Sequence, residues 1–486
     1  MSAHEFAVVV LAAGKGTRLK SALAKVLHRA GGRPLVEHVV RSANALKNRR
    51  VYVVVGHQAD AVRAIVEPLG AKGVEQVPQN GTGHAMLVAR RAIPARVKYA
   101  VVVPGDAPLI RTETLQALMR THIHGGAAAT ILSAVLSDPA GYGRIVRRTD
   151  GRVKAIVEEK ALADEQRAIN EVNSSIYCFT LGKLWPFLLK VRPENVHREI
   201  YLTDAIALLD QQGECVLAEV APDAREILGC NTRAELAEVD RIFRERKRAT
   251  LMDAGVTIYL PETVTIDPEV FVGTDTVIEP NVQLLGKTKV GANCVVRSGS
   301  VIRDSQIEDG CEVRQNCLVT DTRLGKGVVI GPMAHLRGGA VLKPGARVGN
   351  FVEVKKSVLD EGVKAMHLTY LGDAHVGRGT NVGAGTITCN YDGAHKNPTK
   401  IGANVFVGSG TELVAPVRVG DNAYIAAGST ITDNVPKDAL GIARGRQSTK
   451  PGWAAERRKA MRAAAAPKKN PEIARQQKRN RSSDNG

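Results

Sequence analysis

Apolar residues follow two different patterns in the two halves of the chain. In the first half, short aliphatic runs have no internal polar position, as in Ala7–Leu11, Val51–Val55 and Tyr99–Val103. Such runs are typical of strands that are buried on both faces of a sheet. Stretches with helical spacing lie between them, for example Pro34–Leu46 and Ala59–Leu69. The alternation predicts an α/β domain in which helices cover both sides of a parallel sheet.

In the second half, aliphatic residues recur at every sixth position, and small residues often follow them. This period fits neither a helix nor a simple alternating strand. It predicts a coil with flat sides, each placing one aliphatic residue inside, which is the signature of a parallel β-helix. The phase breaks near residues 388–400, which predicts a loop that leaves the coil. The repeated positions are Ile266, Val272, Ile278, Leu284, Val290, Val296 and Ile302, then Leu324, Ile330, Leu336, Leu342, Val348 and Val354, then Ile401, Val407, Leu413, Val419, Ile425 and Ile431.

A helix is predicted to connect the two halves. It runs from Arg233 to about Met252, because Leu236, Val239 and Phe243 fall near one face and charged residues fill the other. The chain therefore divides into an α/β domain (1–232), a linking helix (233–253), a coil (254–446) and a basic tail (447–486). The segment from Arg444 to Gly486 contains thirteen Lys and Arg residues but only three acidic residues. The favoured interpretation of the tail is a solvated, disordered extension.

Composition narrows the class of protein. The chain has 486 residues, which is too long for one ordinary hydrophobic core, and 44% of them are hydrophobic. This length and composition predict several globular domains. Seven cysteines without CxxC spacing indicate reduced thiols in a cytoplasmic protein and no metal cluster. The apolar run Phe6–Ala13 is too short to cross a membrane. A net charge of +18 suits anionic substrates.

A glycine-rich turn, LAAGKGTR at Leu11–Arg18, follows the first predicted strand. Its small residues let the backbone approach phosphate closely, and Lys15 and Arg18 supply positive charge. It lacks the GKS or GKT ending of a P-loop and the GxGxxG spacing of a dinucleotide fold. Asp106, in VVVPGDAPL at the end of another strand, is placed either to hold Mg²⁺ or to cap a helix. Together these residues predict a phosphate-binding pocket at the carboxyl ends of the strands.

Within the coil, His367 and its neighbours predict a second site. A histidine can remove the proton from an amine that attacks a thioester. Glu353 is a candidate to orient His367, and Arg337 and Lys355 offer two cations for a sugar phosphate. A single histidine in a coil is by itself better explained as a turn residue, so the neighbouring motifs decide its interpretation.

These motifs carry a family resemblance. LAAGxGTR with Lys25 seven residues further on resembles the sugar-nucleotide pyrophosphorylases. HLTYLGD, NVGAGTITCNYDG, VGSGTELVAPV and YIAAGS resemble the bifunctional GlmU family, whose members are N-acetylglucosamine-1-phosphate uridyltransferases and glucosamine-1-phosphate acetyltransferases. The resemblance covers the chain from Phe6 to about Arg446. It implies a Rossmann-like nucleotidyltransferase domain followed by a left-handed parallel β-helix.

The resemblance also implies two reactions. Acetyl-CoA acetylates glucosamine 1-phosphate in the coil, and UTP then gives uridylate to N-acetylglucosamine 1-phosphate in the α/β domain with release of pyrophosphate. The product feeds peptidoglycan and lipopolysaccharide synthesis. The implied cofactor is Mg²⁺, the implied assembly is a homotrimer in the cytoplasm, and no nucleic acid or membrane partner is expected.

Residue by residue, the resemblance assigns His367 as the base of acetylation and Arg18 and Lys25 as catalytic cations of uridylyl transfer. The metal site combines Asp106 with Asn231, and Tyr201 either lines the sugar pocket or belongs to the core. Residues implied to bind UTP and the UDP-sugar are Leu11, Ala12, Ala13, Gly14, Lys25, Gln76, Gly81, Thr82, Pro104, Gly105, Gly143, Glu158, Asn173 and Asn231. Those implied to bind glucosamine phosphate are Arg337, Lys355, Tyr370 and Asn381, and those along acetyl-CoA are Ala384, Asn390, Tyr391, Ser409, Ala427 and Arg444.

Two other functions stay open at this point. The first is a pyrophosphorylase whose coil is only structural or regulatory, which His367 and the loop at Asn390–Tyr391 disfavour. The second is a scaffold that binds nucleic acid through the basic tail. The tail has no interleaved aromatic residue beyond Trp453, so stacking on bases is poorly supported.

Overall fold

The computed structural model of the chain describes residues 5–47, 50–191 and 199–465. Its N-terminal domain contains a mixed nine-stranded sheet that includes the three predicted aliphatic runs. The strands are β1 (Phe6–Ala12), β2 (Val51–Val55), β3 (Lys72–Glu75), β4 (Tyr99–Pro104), β5 (Ala129–Val135), β6 (Arg144–Arg147), β7 (Val153–Val157), β8 (Glu171–Thr180) and β9 (Val216–Val220).

The strand order across this sheet is β9-β5-β8-β4-β1-β2-β3, with β6 and β7 attached beside β8. The sheet is not wholly parallel as predicted, because β8 pairs antiparallel with both β4 and β5. The helices of this domain are α1 (Leu35–Asn44), α2 (Ala59–Val66), α3 (Gly81–Arg90), α4 (Thr112–His124), α5 (Asp164–Arg167), α6 (Leu181–Leu188) and α7 (Leu202–Gln211). Separate apolar clusters lie on the two sides of the sheet, which confirms a core above and below it.

Parallel pairing of β1 with β2 and β4 brings the predicted phosphate-binding residues to one edge. The glycine-rich turn begins where β1 ends, and Asp106 follows β4. The amide of Gly105 donates to the carbonyl of Leu11 at 2.8 Å, which ties the two turns together. A β-carbon on Gly105 would lie 3.1 Å from the Leu11 carbonyl oxygen, so a side chain would crowd this contact.

The second domain is a parallel β-helix with three flat faces, as the hexad pattern predicts. Face 1 contains Thr257–Ile258, Val277–Ile278, Val295–Val296, Glu312–Val313, Val329–Ile330, Arg347–Asn350, Lys364–His367, Asn381–Val382, Phe406–Val407, Tyr424–Ile425 and Leu440–Gly441. Face 2 contains Thr265–Ile266, Gln283–Leu285, Val301–Arg303, Leu318–Thr320, His335–Arg337, Glu353–Lys355, Tyr370–Gly372, Ile387–Cys389, Glu412–Val414 and Thr430–Ile431. Face 3 contains Phe271–Val272, Lys289–Val290, Gln306–Ile307, Thr322–Leu324, Ala340–Leu342, Val358–Leu359, Ala374–Val376, Thr399–Ile401 and Val417–Val419.

Every residue of the three predicted hexad runs is buried inside the coil. The runs are separate because some turns are one residue shorter, so that Ile307, Val313 and Val319 continue the interior column out of phase. Small residues at the corners have a steric cause. A β-carbon on Gly349 would lie 1.8 Å from the carbonyl oxygen of Met366 on the next rung, so only glycine fits there.

Helix α8 (Arg233–Asp253) joins the two domains. A capping box starts it, because Thr232 Oγ1 accepts from the Glu235 amide and Glu235 accepts from the Thr232 amide. Arg248 is buried and donates to the carbonyl of Val264 at 3.0 Å, which fixes the helix to the first coil turns. Arg33, in the hairpin before α1, reaches Glu269 of the coil at 2.8 Å.

The basic tail is not disordered throughout, contrary to the prediction. Trp453–Ala465 forms helix α9, whose residues are all exposed, and residues 466–486 lie outside the described part of the chain. Alanine, Arg and Lys are strong helix formers, and local propensity therefore outweighs charge repulsion over this segment. Among the described residues, no helix is both long and apolar enough to span a membrane.

Two buried histidines of the N-terminal domain should make its stability depend on pH. Burial lowers the pKa of His38 and of His122 to about 4, and both ring nitrogens of His122 are hydrogen-bonded to threonine hydroxyls. The unfolded chain therefore binds more protons below pH 6.5, and folding free energy is lost as the pH falls from 6.5 towards 4. We expect each of these histidines to lower the free energy of unfolding by about 2 kcal/mol at pH 5 relative to pH 7. Urea denaturation at the two pH values measures this difference.

The matched control for this prediction lies on the same helix. His122→Leu should remove about 2 kcal/mol of the loss between pH 7 and pH 5, whereas His124→Gln, at an exposed position of α4, should leave the loss unchanged. An equal loss in the parent and in both variants would show that other groups cause the acid sensitivity.

Candidate active sites

Four polar side chains converge where β1 and β4 end. Lys25 forms an ion pair with Asp106, and its Nζ donates to Asn231 Oδ1 at 2.6 Å. Arg18 Nη2 donates to the same oxygen at 2.7 Å. The side chains of Lys25 and Asp106 are 17% and 19% exposed, so water reaches them and their charges are only partly screened. The cluster joins the glycine-rich turn to the segment before α8.

Asp106 and Asn231 fit a divalent cation. Their oxygens converge on one ammonium group, so the two are close enough to share a single positive charge. Carboxylate and amide oxygens are the donors that hard divalent cations prefer. A β-carbon on Gly229 would lie 3.5 Å from Asp106 Oδ2, so this glycine keeps space open beside the carboxylate. Among the described residues, no three His, Cys, Asp or Glu side chains form a metal cluster, so further ligands would come from phosphate and water.

Gln76 and the start of α3 form the wall next to the glycine-rich turn. Gln76 is buried, and its Nε2 donates to the carbonyl of Gly81 at 3.0 Å and lies 3.1 Å from His84 Nδ1. Thr82 Oγ1 accepts from the Leu202 amide at 3.0 Å. The amide nitrogen of Gln76 is thus held by the protein, and its orientation is fixed.

Gly143, Glu158 and Asn173 lie together on the other side of the pocket. The Asn173 amide donates to the Gly143 carbonyl at 2.8 Å, and a β-carbon on Gly143 would lie 3.5 Å from Glu158 Oε2. Burial raises the pKa of Glu158, and the charge of Asp204 raises it further. Tyr201 is half-buried and immediately precedes α7. Burial is the largest cause that raises the pKa of its hydroxyl, and the charges of Glu158 and Asp204 raise this pKa further. Tyr201 therefore lies beside these acids and not in the core.

His367 ends a strand of face 1 and is exposed. Its Nδ1 lies 3.0 Å from Asn350 Oδ1 on the preceding rung. The proposal that Glu353 orients His367 was wrong, because the Glu353 carboxylate accepts from Arg337 Nη1 at 2.7 Å. The turn between the faces separates the two, since Asn350 shares face 1 with His367 and Glu353 lies on face 2.

Three of the predicted sugar-phosphate residues share face 2, beyond the corner that carries His367. Arg337 and Lys355 are in direct register, and Glu353 is in register with Tyr370. The fourth, Asn381, lies on face 1 in register with Lys364. The structure thus brings three of these residues onto one face and places Asn381 around the corner.

Four of the predicted acetyl-CoA residues form a column along the edge between faces 1 and 2. The Gly410 amide donates to the Ala384 carbonyl at 2.7 Å, and the Gly428 amide donates to the Ser409 carbonyl at 2.8 Å. Arg444 Nη1 donates to the Ala427 carbonyl at 2.7 Å. With rungs about 4.8 Å apart, this column is long enough for an extended ligand. It begins one rung beyond His367.

The remaining pair, Asn390 and Tyr391, lies at the opposite edge of face 2, where the predicted loop leaves the coil. Asn390 Nδ2 donates to Asp373 Oδ2 at 2.6 Å and lies 3.5 Å from the Tyr370 hydroxyl. Tyr391 is 57% exposed, and Lys396 Nζ lies 4.4 Å from its ring centre. Within one chain, the width of face 2 separates this loop from the column of Ala384 and Ser409.

Sequence reasoning missed the residues that hold the catalytic groups in place. Besides Asn350, Gln58 accepts from the Ala24 amide at 2.8 Å and so positions the residue before Lys25. Asp204 adds its charge to the pocket beside Glu158. No spacing along the chain signals these residues, because each acts on a partner that is distant in sequence.

Comparison with known proteins found three matching domain families and closely similar relatives. The MobA-like NTP transferase domain matches residues 8–167, the GMPPB C-terminal domain matches 260–350, and six bacterial transferase hexapeptide repeats match 398–433. The chain is 49% identical to the bifunctional protein GlmU of Koribacter versatilis, covering 94% of this chain and 98% of that protein. It is 50% identical to GlmU of Solibacter usitatus, covering 93% and 97%, and 45% identical to GlmU of Pelobacter propionicus, covering 92% and 97%.

The fold and the domain matches define a transferase with an NTP transferase domain and a hexapeptide-repeat, left-handed β-helix domain. The extent and level of identity then settle the family. The chain belongs to the bifunctional GlmU family and is an enzyme that combines uridylyl transfer with acetyl transfer.

Proposed function

We propose that the two sites described above catalyse the two reactions separately: His367 serves the acetylation of glucosamine 1-phosphate, and the Lys25–Asp106 cluster serves uridylyl transfer from UTP. The observation that supports this division is that Lys25, Asp106 and Asn231 converge in one domain, whereas the other domain carries His367 on face 1 and the cations Arg337 and Lys355 in register on the adjoining face 2. We place this activity in the cytoplasm, since all seven cysteines carry free thiols.

In the N-terminal site, the sugar phosphate attacks the α-phosphorus of UTP and pyrophosphate leaves. The glycine-rich turn offers backbone amides to the phosphates, and Arg18 and Lys25 stabilise the charge that develops on the leaving group. Mg²⁺ held by Asp106 and Asn231 would neutralise phosphate charge when bound. Lys25 would then exchange its contact with Asp106 for one with phosphate. Glu158, Asn173 and Gly143 would hold the sugar, and Gln76, Gly81 and Thr82 the uracil.

In the coil, the amine of glucosamine 1-phosphate attacks the thioester carbonyl of acetyl-CoA. Because Asn350 Oδ1 accepts a hydrogen bond, the proton of neutral His367 stays on Nδ1, and the Nε2 lone pair is free to take the amine proton. Arg337, Lys355 and Tyr370 would hold the sugar phosphate on face 2. Acetyl-CoA would extend along the column of Ala384, Ser409, Ala427 and Arg444.

We further propose that three copies of the chain assemble side by side. Asn390 and Tyr391 can line the same acetyl-CoA as the column only when they come from a neighbouring copy, because they lie at the other edge of face 2. Exposed apolar residues next to His367 support a contact there: Met333, Phe351 and Leu368 are stacked on successive rungs and are 47%, 55% and 61% exposed. Apolar residues grouped in this way mark an interaction surface.

A coupled assay tests the proposed function. Purified protein is given UTP, acetyl-CoA, glucosamine 1-phosphate and Mg²⁺, and the UDP-sugar is sought by mass, with free thiol measured in parallel. Both products are expected. Uridylyl transfer to supplied N-acetylglucosamine 1-phosphate without any thiol release would favour a coil that is only structural or regulatory.

Replacement of Asn350 should show whether this residue orients His367 or instead helps to bind the substrates of acetylation. We expect Asn350→Ala to lower kcat for acetylation about 10- to 100-fold with little change in either KM, because His367 loses the acceptor that fixes its orientation while the substrate contacts remain. Asn350→Asp, which keeps an acceptor oxygen at this position, should restore part of the rate. The matched control is Gln306→Ala, at an exposed strand position on face 3 of the same coil.

A purely structural role of Asn350 would appear differently. In that case Asn350→Ala would lower the melting temperature and reduce the amount of folded enzyme, and the kcat per folded chain would stay at the parental value.

A further inference from the structure

A groove lies at the edge between faces 3 and 1, away from both candidate active sites. It has a volume of about 640 Å³ and spans the rungs between His375 and Lys437. Its floor is formed by Gly402 and Ala403, which carry little or no side chain. The glycine at this corner is explained by packing, because a β-carbon on Gly402 would lie 2.7 Å from the Asp421 backbone nitrogen. The opening above the floor is therefore shaped by the side chains around it.

Those side chains are mainly cations. Lys400 and Arg418 are in direct register on face 3, on strands about 4.8 Å apart, and Arg378 stands at the corner beside them. Among residues 5–47, 50–191 and 199–465, none of these three has an acidic partner in an ion pair. Like charges that face each other on neighbouring strands are destabilising unless something compensates them.

Some cations elsewhere on the coil are paired with acids across the rungs. Arg297 lies between Glu279 and Glu312, at 3.0 and 2.7 Å, and Arg337 is paired with Glu353 at 2.7 Å. Two acids also line the groove, Asp360 and Asp421. Asp360 is already engaged by Lys343 at 2.8 Å and by His375 at 2.9 Å, and Asp421 Oδ1 accepts from the Ala403 amide at 2.8 Å. Within the described part of the chain, neither acid forms an ion pair with Lys400 or Arg418.

We propose that this groove is a second anion-binding site, in which Arg378, Lys400 and Arg418 bind the diphosphate group of a small molecule. Cations on two adjacent rungs are spaced so that each can bind one of two linked phosphates, and charge-assisted hydrogen bonds to phosphate are strong. Of the described residues, no Phe, Tyr or Trp lines the groove, and His375, its one aromatic lining residue, is hydrogen-bonded to Asp360, so recognition rests on the phosphates. Its volume falls within the range of small-molecule pockets.

Three molecules in the reactions of this family carry a diphosphate group and are candidate ligands of the groove: free pyrophosphate, the UDP-sugar and coenzyme A. All three share the chemistry that the groove would recognise, and a competition experiment separates them. The proposal stands on the geometry of the groove and does not depend on which reaction the two active sites catalyse.

Equilibrium dialysis of the full chain with radiolabelled pyrophosphate tests the groove. The parent should bind one more pyrophosphate per chain than the double variant Lys400→Ala/Arg418→Ala, and the single variant Arg418→Ala should weaken that additional site about tenfold. An equal number of sites in the parent and the double variant would overturn the proposal. Both side chains point away from the coil interior, and a thermal unfolding scan verifies that the variants are folded.

The matched control is Arg347→Ala/Lys364→Ala. These two cations are also in direct register, but on face 1 and outside the groove. The control should keep the parental number of sites, and loss of the same site from it would overturn the proposal by showing a general effect of charge. UDP-sugar and coenzyme A are then added as competitors: the one that displaces the label from the groove at a lower concentration than unlabelled pyrophosphate is the ligand, and if neither does, the ligand is free pyrophosphate. Displacement by an equal concentration of orthophosphate would overturn the assignment to a diphosphate.

Discussion

Asp106→Ala is expected to lower uridylyl transfer about a thousandfold and to leave acetyl transfer unchanged. The replacement removes the carboxylate of one of the two residues proposed to hold Mg²⁺, and Asn231 alone would remain. The negative charge that develops on the phosphates during the transfer would then lack its compensating cation. It also removes the ion-pair partner of Lys25, whose ammonium then keeps only its hydrogen bond to Asn231. The rate is measured as UDP-sugar formed from UTP and N-acetylglucosamine 1-phosphate over a range of Mg²⁺ concentrations.

The control for this prediction is Asp60→Ala, because Asp60 is fully exposed on α2 and away from the pocket. Asp60→Ala should behave as the parent in both assays. Loss of acetyl transfer together with uridylyl transfer in Asp106→Ala would contradict the independence of the two sites, and an unchanged uridylyl rate would remove Asp106 from the mechanism.

His367→Ala is expected to have the opposite effect, with acetyl transfer lowered about 10²- to 10⁴-fold and uridylyl transfer to supplied N-acetylglucosamine 1-phosphate unchanged. General base catalysis contributes a factor of this size. The cations Arg337 and Lys355 remain, so the KM for glucosamine 1-phosphate should change little. Thiol release from acetyl-CoA measures the rate.

A second histidine on the coil provides the control. His375 is exposed on face 3 and bonded to Asp360, and His375→Ala should keep the parental acetylation rate. If His375→Ala and His367→Ala lowered the rate equally, the loss would come from a general disturbance of the coil and not from the missing base.

The elements of the fold were predicted well because their patterns are local. Aliphatic runs located β1, β2 and β4, and the period of six located the interior column of the coil. The antiparallel strand β8 was not predicted, since the direction in which a strand inserts depends on pairing with β4 and β5 far along the chain. Helix α9 was also missed, because charge was given more weight than helix propensity.

The chemistry of the sites was only partly predictable. Residue type at a strand end indicated Asp106, and the family resemblance implied Lys25 and Asn231. The structure brings Lys25 into contact with both, although Lys25 and Asn231 are 206 positions apart along the chain. The assignment of metal and substrate roles to these residues stays a prediction. For His367, the sequence suggested a neighbouring carboxylate, and the fold supplied an amide.

The sequence by itself determined which residues face inwards, because burial imposes a period on the chain that any short window reveals. Only the tertiary structure decided which outward-facing side chains contact each other. These contacts depend on the number of residues in each turn of the coil. Asn350 and His367 are partners because one turn there takes 17 residues. By the same geometry, the loop at Asn390 and the column at Ser409 occupy opposite edges of one face, which no pattern along the chain records.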